Sequence, residues 1–203
     1  MVHEGYRFAL PPILLGLLAL TAGWSGIGTA LLAVGGFVLF FFRDPARRIP
    51  DDPMAIVAPA DGRVMEIVEE DEQGRPGRRM SIFLSIFDVH VNRVPYAGRI
   101  VRIQYRPGKF LNAMRARASL ENEQNLVLLE TPQGPVVVKQ IAGFLARRVR
   151  CWKREGDRVQ TGEKLGMIRF GSRVDLWLPA GARFTVRPGE HVHGGATIVA
   201  RWD

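Results

Sequence analysis

Between Phe8 and Phe42 no side chain carries a charge, whereas from Arg43 to Asp203 charged residues recur throughout. An apolar run of that length cannot be one buried element of a small water-soluble domain, so it sets an N-terminal region apart from the rest. It is too long for a secretory signal and lacks a convincing cleavage site. Gly23, Trp24, Ser25, Gly26 and Gly28 make a turn-prone centre, which leaves two apolar arms, Phe8 to Ala22 and Thr29 to Phe42. A spanning helix wants about 20 apolar residues, and each arm is shorter. The reading is a hydrophobic helical hairpin that either spans a thin membrane or re-enters one leaflet, with a single long kinked span as the competitor. Arg43, Arg47 and Arg48 follow at once, and the positive-inside tendency keeps the remainder of the chain in the cytoplasm.

This break predicts residues 1–50 as a membrane anchor with a basic linker and residues 51–203 as one further domain, a division that a chain of 203 residues accommodates. The lone cysteine, Cys151, excludes an internal disulfide framework and cannot by itself form a thiolate metal site. A formal net charge of +8 points to an anionic partner, either nucleic acid or a membrane surface. No aromatic residues interleave with the basic ones in a nucleic-acid motif, and a chain already anchored in a bilayer meets anionic lipid first. No nucleic-acid partner is expected.

After Pro50 short β-type runs separated by turn residues take over, among them AIVAPADGRVMEIVEE, MSIFLSIFDVHVNRV, RIVRIQYR and RVDLWLPAGARFTV. The segment from Glu69 to Arg79 reads as an exposed hairpin loop. From Phe110 to Gln124 the sequence has helix-like periodicity, with a lipid-facing loop as the alternative. Gly156, Val159, Gly162 and Leu165 have the spacing of Gly189, Val192, Gly195 and Ile198. Each set alternates a turn with an inward apolar residue, the construction of a flattened β-sandwich of short hairpins. The hairpins resemble those of biotinyl and lipoyl carrier domains. The expected fold is mainly β, a barrel-sandwich preceded by the hydrophobic helical hairpin. His191 and His193 flank Val192, but no further Cys or His accompanies them and no metal site is expected.

Ser172 follows Gly171 in MIRFGSRVDLW, and a Gly-Ser pair alone reads as a turn or bulge. It stands, however, in an ordered set: FFRDPARRIP, then APADG, then FDVHVNRVPYAG, then ENEQN, then FGSRVDLWLP. The set resembles that of phosphatidylserine decarboxylases, in the short single-domain branch found in bacteria and archaea, and the likeness covers nearly the whole chain. The resemblance implies self-cleavage between Gly171 and Ser172 into a β chain of residues 1–171 and an α chain of residues 172–203, which remain together as a heterodimer. Ser172 then becomes a pyruvoyl group that forms a Schiff base with phosphatidylserine in the membrane and acts as electron sink for loss of CO2. Glycine before the serine makes the required turn accessible.

The resemblance also assigns roles around the serine. In larger family members an Asp in a motif like APADG and a His in a motif like D-x-H-x-x-H assist it. Asp61 and His90 match these, so both are candidate catalytic residues, His90 as proton donor after decarboxylation and Asp61 in self-cleavage. Asp88 matches the first position of the second motif, but Arg93 occupies its last, and a guanidinium cannot serve as a base. Arg93 and Asp88 are candidate substrate-side residues, Arg93 through the carboxylate or phosphate. The expected site is the membrane's cytoplasmic face. An ether-linked substrate analogue and a homo-oligomer stay open, and a noncatalytic tethered carrier or adaptor is the competing reading, although Lys164 lacks the symmetric turn a carrier lysine needs.

Overall fold

The computed structural model describes residues 2–72, 74–114, 117–143, 149–169 and 171–203. They form two compact units, Met1–Ala46 and Arg47–Asp203. The first is an antiparallel pair of helices, α1 (His3–Thr21) and α2 (Ser25–Phe41). The break between them is tighter than the glycine pattern suggested, because only Ala22 to Trp24 lie outside the helices, with Gly23 at φ 85°. Gly26 and Gly28 belong to α2 instead. A Cβ on Gly28 would strike Leu20, and one on Gly35 would strike Ile13, so these glycines let the two backbones close on each other. Large apolar side chains such as Leu14, Leu18 and Ile27 remain exposed. Among the described residues no helix is long and apolar enough to cross a membrane.

The second unit is mainly β, as expected. Its strands are β1 (Ala55–Val57), β2 (Gly62–Glu69), β3 (Gly77–Leu84), β4 (Val91–Arg93), β5 (Gly98–Arg106), β6 (Gln124–Thr131), β7 (Gly134–Ile141), β8 (Val149–Cys151), β9 (Arg158–Val159), β10 (Lys164–Ile168), β11 (Ser172–Pro179), β12 (Ala182–Phe184), β13 (His191–Val192) and β14 (Ile198–Trp202). Eight of them form one curled sheet in the order β13-β2-β3-β11-β7-β6-β5-β9, and two three-stranded sheets, β1-β14-β12 and β4-β10-β8, complete the sandwich. Val64, Ile82, Val127, Leu129, Val138, Val174 and Leu176 fill the space between the layers. Alternation along β11 sends Val174, Leu176 and Leu178 inward and Arg173, Asp175 and Trp177 to the other face.

The sequence repeat organises this unit. The hairpin beginning at Gly156 closes one edge of the large sheet, since β9 pairs with β5, and the hairpin beginning at Gly189 closes the other, since β13 pairs with β2. Gly156, Gly162, Gly189 and Gly195 have φ of 92°, 76°, 95° and 76°, the left-handed region where a side chain is strained. Their backbone bonds also match. Gly156 donates to Ile100 as Gly189 does to Val64, and Gly162 donates to Val94 as Gly195 does to Ala58. The strands before them cross reciprocally, with Arg93 N–H on the Pro59 carbonyl (2.8 Å) and Val57 N–H on the Pro95 carbonyl (2.9 Å). The segments Ala58–Gly62 and Val94–Gly98 are thus equivalent, and a pseudo-two-fold axis runs between the central strands β11 and β7.

Between β5 and β6, where the sequence allowed a helix or a loop, the helix is one turn, α3 (Ala118–Glu121), and Arg115 and Ala116 lie outside the described residues. The cause is Asn122, fully buried, whose amide oxygen accepts Leu111 N–H at 2.9 Å while its nitrogen donates to the Leu111 carbonyl at 2.8 Å. These bonds draw on backbone groups that a helix would use. Lys109 N–H on the Glu121 carbonyl and Glu123 N–H on the Lys109 carbonyl close the base of the loop.

Candidate active site

Ser172 opens the central strand β11, opposite Leu84 of β3. Its residue is fully buried, and its hydroxyl has no hydrogen-bond partner among the described residues. A buried hydroxyl normally finds a partner, so an orphaned one marks strain or reactivity. Gly171 precedes it at φ 58°. The Gly171 carbonyl points at Gly143, where any Cβ would overlap its oxygen and would lie 3.3 Å from the Ala113 Cβ. Two glycines therefore shape the peptide before Ser172, one by its conformation and one by leaving room for the carbonyl. Asn122 steadies the far side of this contact by donating to the Ala142 carbonyl at 2.7 Å.

After Leu84 the chain turns through Ser85 to Asp88 and reaches His90, whose carbonyl accepts Ile168 N–H at the end of β10. Ser172 and His90 thus sit at the same end of the sandwich. The His90 ring is buried and its Nδ1 lies 2.9 Å from the Asp88 carbonyl. A carbonyl only accepts, so the neutral ring carries its proton on Nδ1 and keeps the lone pair on Nε2, the nitrogen suited to receiving and returning a proton. The Asp88 carboxylate accepts Ser85 N–H at 2.8 Å and meets His191 Nε2 at 2.9 Å. Asp88 therefore fixes the turn with its side chain and the histidine with its backbone.

Asp61 lies in the same row of the sheet, just before Gly62 of β2. Its carboxylate is held by Arg47 at 2.8 and 2.9 Å, by Gly194 N–H at 2.8 Å and by His193 Nδ1 at 3.5 Å. Its contacts are with the second hairpin and the segment after the helices, whereas those of His90 are with Asp88. Arg93 is buried, and its guanidinium donates to the Gly162 carbonyl at 3.1 Å while its Cδ packs where a Cβ on Gly195 would go. It ties the turns of the two hairpins together.

Directly after Ser172, Arg173 turns its side chain to the opposite face of the sheet. It is buried, and it reaches Asp175 (2.6 Å), Ser81 (2.8 Å) and Glu66 (3.3 Å). Arg79 joins the same group through Glu66 and Glu70. Burial opposes the charged form of Glu66, but the hydrogen bond and charge of Arg79 and the charge of Arg173 outweigh it and hold the carboxyl below its ordinary range. Sequence reasoning passed over Gly143, Asn122, Arg173 and the contacts of His191 and His193. Asn122 had a signal in ENEQN, and the histidines had one in their repeat, but their partners are distant in sequence.

Fold and site together define a pseudo-symmetric β-sandwich with an internal Gly-Ser centre at the joint between its halves. The chain belongs to the phosphatidylserine decarboxylase family, whose profile matches residues 34–200. It is 46% identical to a phosphatidylserine decarboxylase proenzyme of Magnetococcus marinus, over 99% of this chain and 94% of the relative. A protein of the same name from Symbiobacterium thermophilum is 44% identical over 99% of this chain and 95% of its own length. One from Solibacter usitatus is 45% identical, with 99% and 96% covered.

Proposed function

We propose that this chain decarboxylates phosphatidylserine to phosphatidylethanolamine at the cell (inner) membrane, after cutting itself between Gly171 and Ser172. The observation that carries the reading is the buried Ser172 hydroxyl with no partner among the described residues, next to a left-handed Gly171 whose carbonyl lies against Gly143. The hydroxyl attacks the Gly171 carbonyl carbon, the peptide C–N bond breaks and an ester takes its place. Removal of a proton from Cα of residue 172 then expels the Gly171 carboxylate and leaves dehydroalanine. Water adds, ammonia leaves, and residue 172 ends as a ketone at the head of the α chain. The relatives' designation as proenzymes supports a precursor of this kind.

A pyruvoyl group at residue 172, joined through its carbonyl to Arg173, would supply the electron sink for loss of CO2 from an amino acid head group. The residues present fit it, because Gly143 leaves room for the Gly171 carbonyl and the strand that begins at residue 172 is held on both sides. His90, with Nδ1 committed to Asp88, returns a proton from Nε2 to the carbon that loses CO2. Asp61 serves self-cleavage by holding His193 and Gly194 of the future α chain. Asp88 acts on the substrate side by orienting His90, and Arg93, steadied by the Gly162 carbonyl, takes the carboxylate or phosphate of the substrate. The helical pair anchors the chain in the membrane, as a thin-membrane span or a re-entrant hairpin, with the catalytic domain of residues 51–203 on the cytoplasmic face. The α and β chains stay associated, because β11 is paired along both edges with strands of the β chain.

Intact-mass measurement tests this directly. Two chains split after Gly171 are expected, the smaller one blocked to N-terminal sequencing, and Ser172→Ala should remain full length. A Ser172→Ala protein that is still cut there would overturn the reading.

A further inference from the structure

Among the described residues of the unit Arg47–Asp203 the exposed large apolar side chains are Phe87, Val101, Tyr105, Phe110, Met114 and Leu120. All but Val101 fall at one end of the sandwich. Strand pairing fixes this: Ser172 opposes Leu84, Arg173 opposes Ile141, Ile141 opposes Gln124, and Gln124 opposes Arg106. Phe87 lies in the turn after Leu84, Tyr105 is the next-to-last residue of β5, and Phe110, Met114 and Leu120 lie in the segment from β5 to β6. The exposed apolar surface is gathered at the end where β11 begins with Ser172.

This loop is a built feature. Asn122 fastens it through Leu111 and Ala142, and Ala113 packs next to Gly143, which touches the Gly171 carbonyl. Its base is fixed beside the reacting peptide, while Met114 and Leu120 are 60% and 70% exposed. Between positions 106 and 121 the sequence carries Arg106, Lys109, Arg115 and Arg117 against a single acid, Glu121. Exposed aromatic and aliphatic side chains interspersed with basic ones match the boundary of an anionic bilayer, apolar below the head groups and negative at their level.

We propose that this end of the sandwich, with Met114, Leu120, Phe110 and Phe87 at its tip, inserts into an anionic phospholipid surface and so presents the site to head groups still seated in the bilayer. The proposal rests on the function given above for its substrate. Withdrawing a lipid costs about fourfold in equilibrium for each methylene brought into water, so a site remote from the surface could not draw on membrane lipid. A site at the surface needs only the head group.

The test has two arms, both on the full chain. In the first, M114E/L120E is compared with the parent on vesicles of phosphatidylcholine containing phosphatidylserine and on a short-chain phosphatidylserine dissolved as monomers. Self-cleavage and turnover of the soluble lipid should stay within about twofold, while turnover at limiting vesicle concentration should fall about tenfold or more, as two apolar contacts become charges at the interface. Equal rates on vesicles, or equal losses on both substrates, would overturn the proposal. A loss explained by dissociation of a dimer, seen by light scattering, would assign this surface to a second copy and also overturn it. The second arm does not depend on catalysis. In a Cys151→Ala background, spin labels on Leu120→Cys and on Val101→Cys are compared on the same vesicles. The label at Leu120 should become accessible to oxygen and protected from aqueous nickel, while that at Val101 stays in water; two water-exposed labels would overturn the proposal even if the protein is an active decarboxylase. Absence of both self-cleavage and turnover in the parent would instead count against the function itself.

Discussion

The strands β4 to β10 form one half of the sandwich from a single run of the sequence, whereas the other half is assembled from β1 to β3 and β11 to β14. Turns and inward residues agree between them: Pro59 with Pro95, Gly62 with Gly98, Gly156 with Gly189 and Val159 with Val192. The chemistry-bearing positions do not agree. Asp61 faces Ala97 across the axis of symmetry, His90 faces Met54, His191 faces Arg158 and His193 faces Gln160. Even a shared link is reversed. In one half Ala97 N–H donates to the Thr161 hydroxyl at 2.9 Å, while in the other Gly194 N–H donates to the Asp61 carboxylate at 2.8 Å. Backbone geometry constrains both copies alike, so they share glycines and prolines, and reactive groups need stand only once. The Gly171–Ser172 bond lies where the uninterrupted half gives way to the assembled one, so cutting it separates neither half from the sheet.

The largest expected effect comes from the shared backbone. Gly62 has φ 143° and an added Cβ would overlap the Phe83 carbonyl, while a Cβ on Gly98 would lie 2.5 Å from the Glu130 oxygen without a left-handed φ. Gly62→Ala should cost more than about 4 kcal/mol and Gly98→Ala about 2 to 3 kcal/mol, as strain and overlap combine in the first and overlap acts alone in the second. Thermal melts of the two variants check this. Equal losses would mean that both turns have the same tolerance and that the symmetry is closer than these dihedrals indicate.

Next comes the position where the halves differ most. Asp61 and Arg47 have side chains only 7% and 11% exposed, so Asp61→Ala leaves a buried guanidinium without its main partner. A loss of about 3 kcal/mol is expected, and Arg47→Met/Asp61→Ala should recover part of it. If Asp61 also serves self-cleavage, the double variant regains stability but not the rate of cleavage. Full recovery of both would reduce Asp61 to a structural role.

A smaller effect separates the two hairpins. Gly156 has open space around a would-be Cβ, whereas one on Gly195 would lie 2.8 Å from Arg93 Cδ and 3.4 Å from Ile49. Gly156→Ala should cost only the left-handed strain of about 1 to 2 kcal/mol, and Gly195→Ala somewhat more. Chemical denaturation resolves the difference. Identical costs would mean that Arg93 shifts freely and does not brace the hairpins.

The hairpins were legible because a left-handed turn leaves glycine in the sequence and an inward strand position leaves valine or leucine. The helical pair was legible from the missing charges and the turn-prone centre at Gly23 to Gly28, although Gly28 had a packing role that turn chemistry could not disclose. The loop from Phe110 to Asn122 was not legible as helix or loop by periodicity, because one buried Asn side chain diverts its backbone. Gly171 and Ser172 emerged only through their ordered company, and their surroundings at Gly143 arise from strands far apart in the chain. Pairings such as Asp61 with Arg47 and Asp88 with His191 depend on the folded arrangement. No local pattern announces them.

The smallest expected effect asks whether the halves respond to acid independently. Each holds a carboxylate below its ordinary value of 4.5: Glu66, where burial is outweighed by Arg79 and Arg173, and Glu163, held by a hydrogen bond from Lys153 and by Gln160 N–H. A lowered folded-state pKa binds the proton less readily than the unfolded chain does. The resulting stability is fully present above 4.5 and is lost as pH falls through the folded values. Both side chains are more than a third exposed, at 43% and 37%, so solvent screening keeps each contribution small. Glu66→Gln and Glu163→Gln should each flatten the acid limb of stability against pH while leaving its slope near neutrality unchanged. Because the two carboxylates lie in different halves and share no partner, the double variant should show the sum of the single effects. A double variant that departs from the sum would show that protonation in one half is felt in the other, with the central pair β11 and β7 as the element through which it passes.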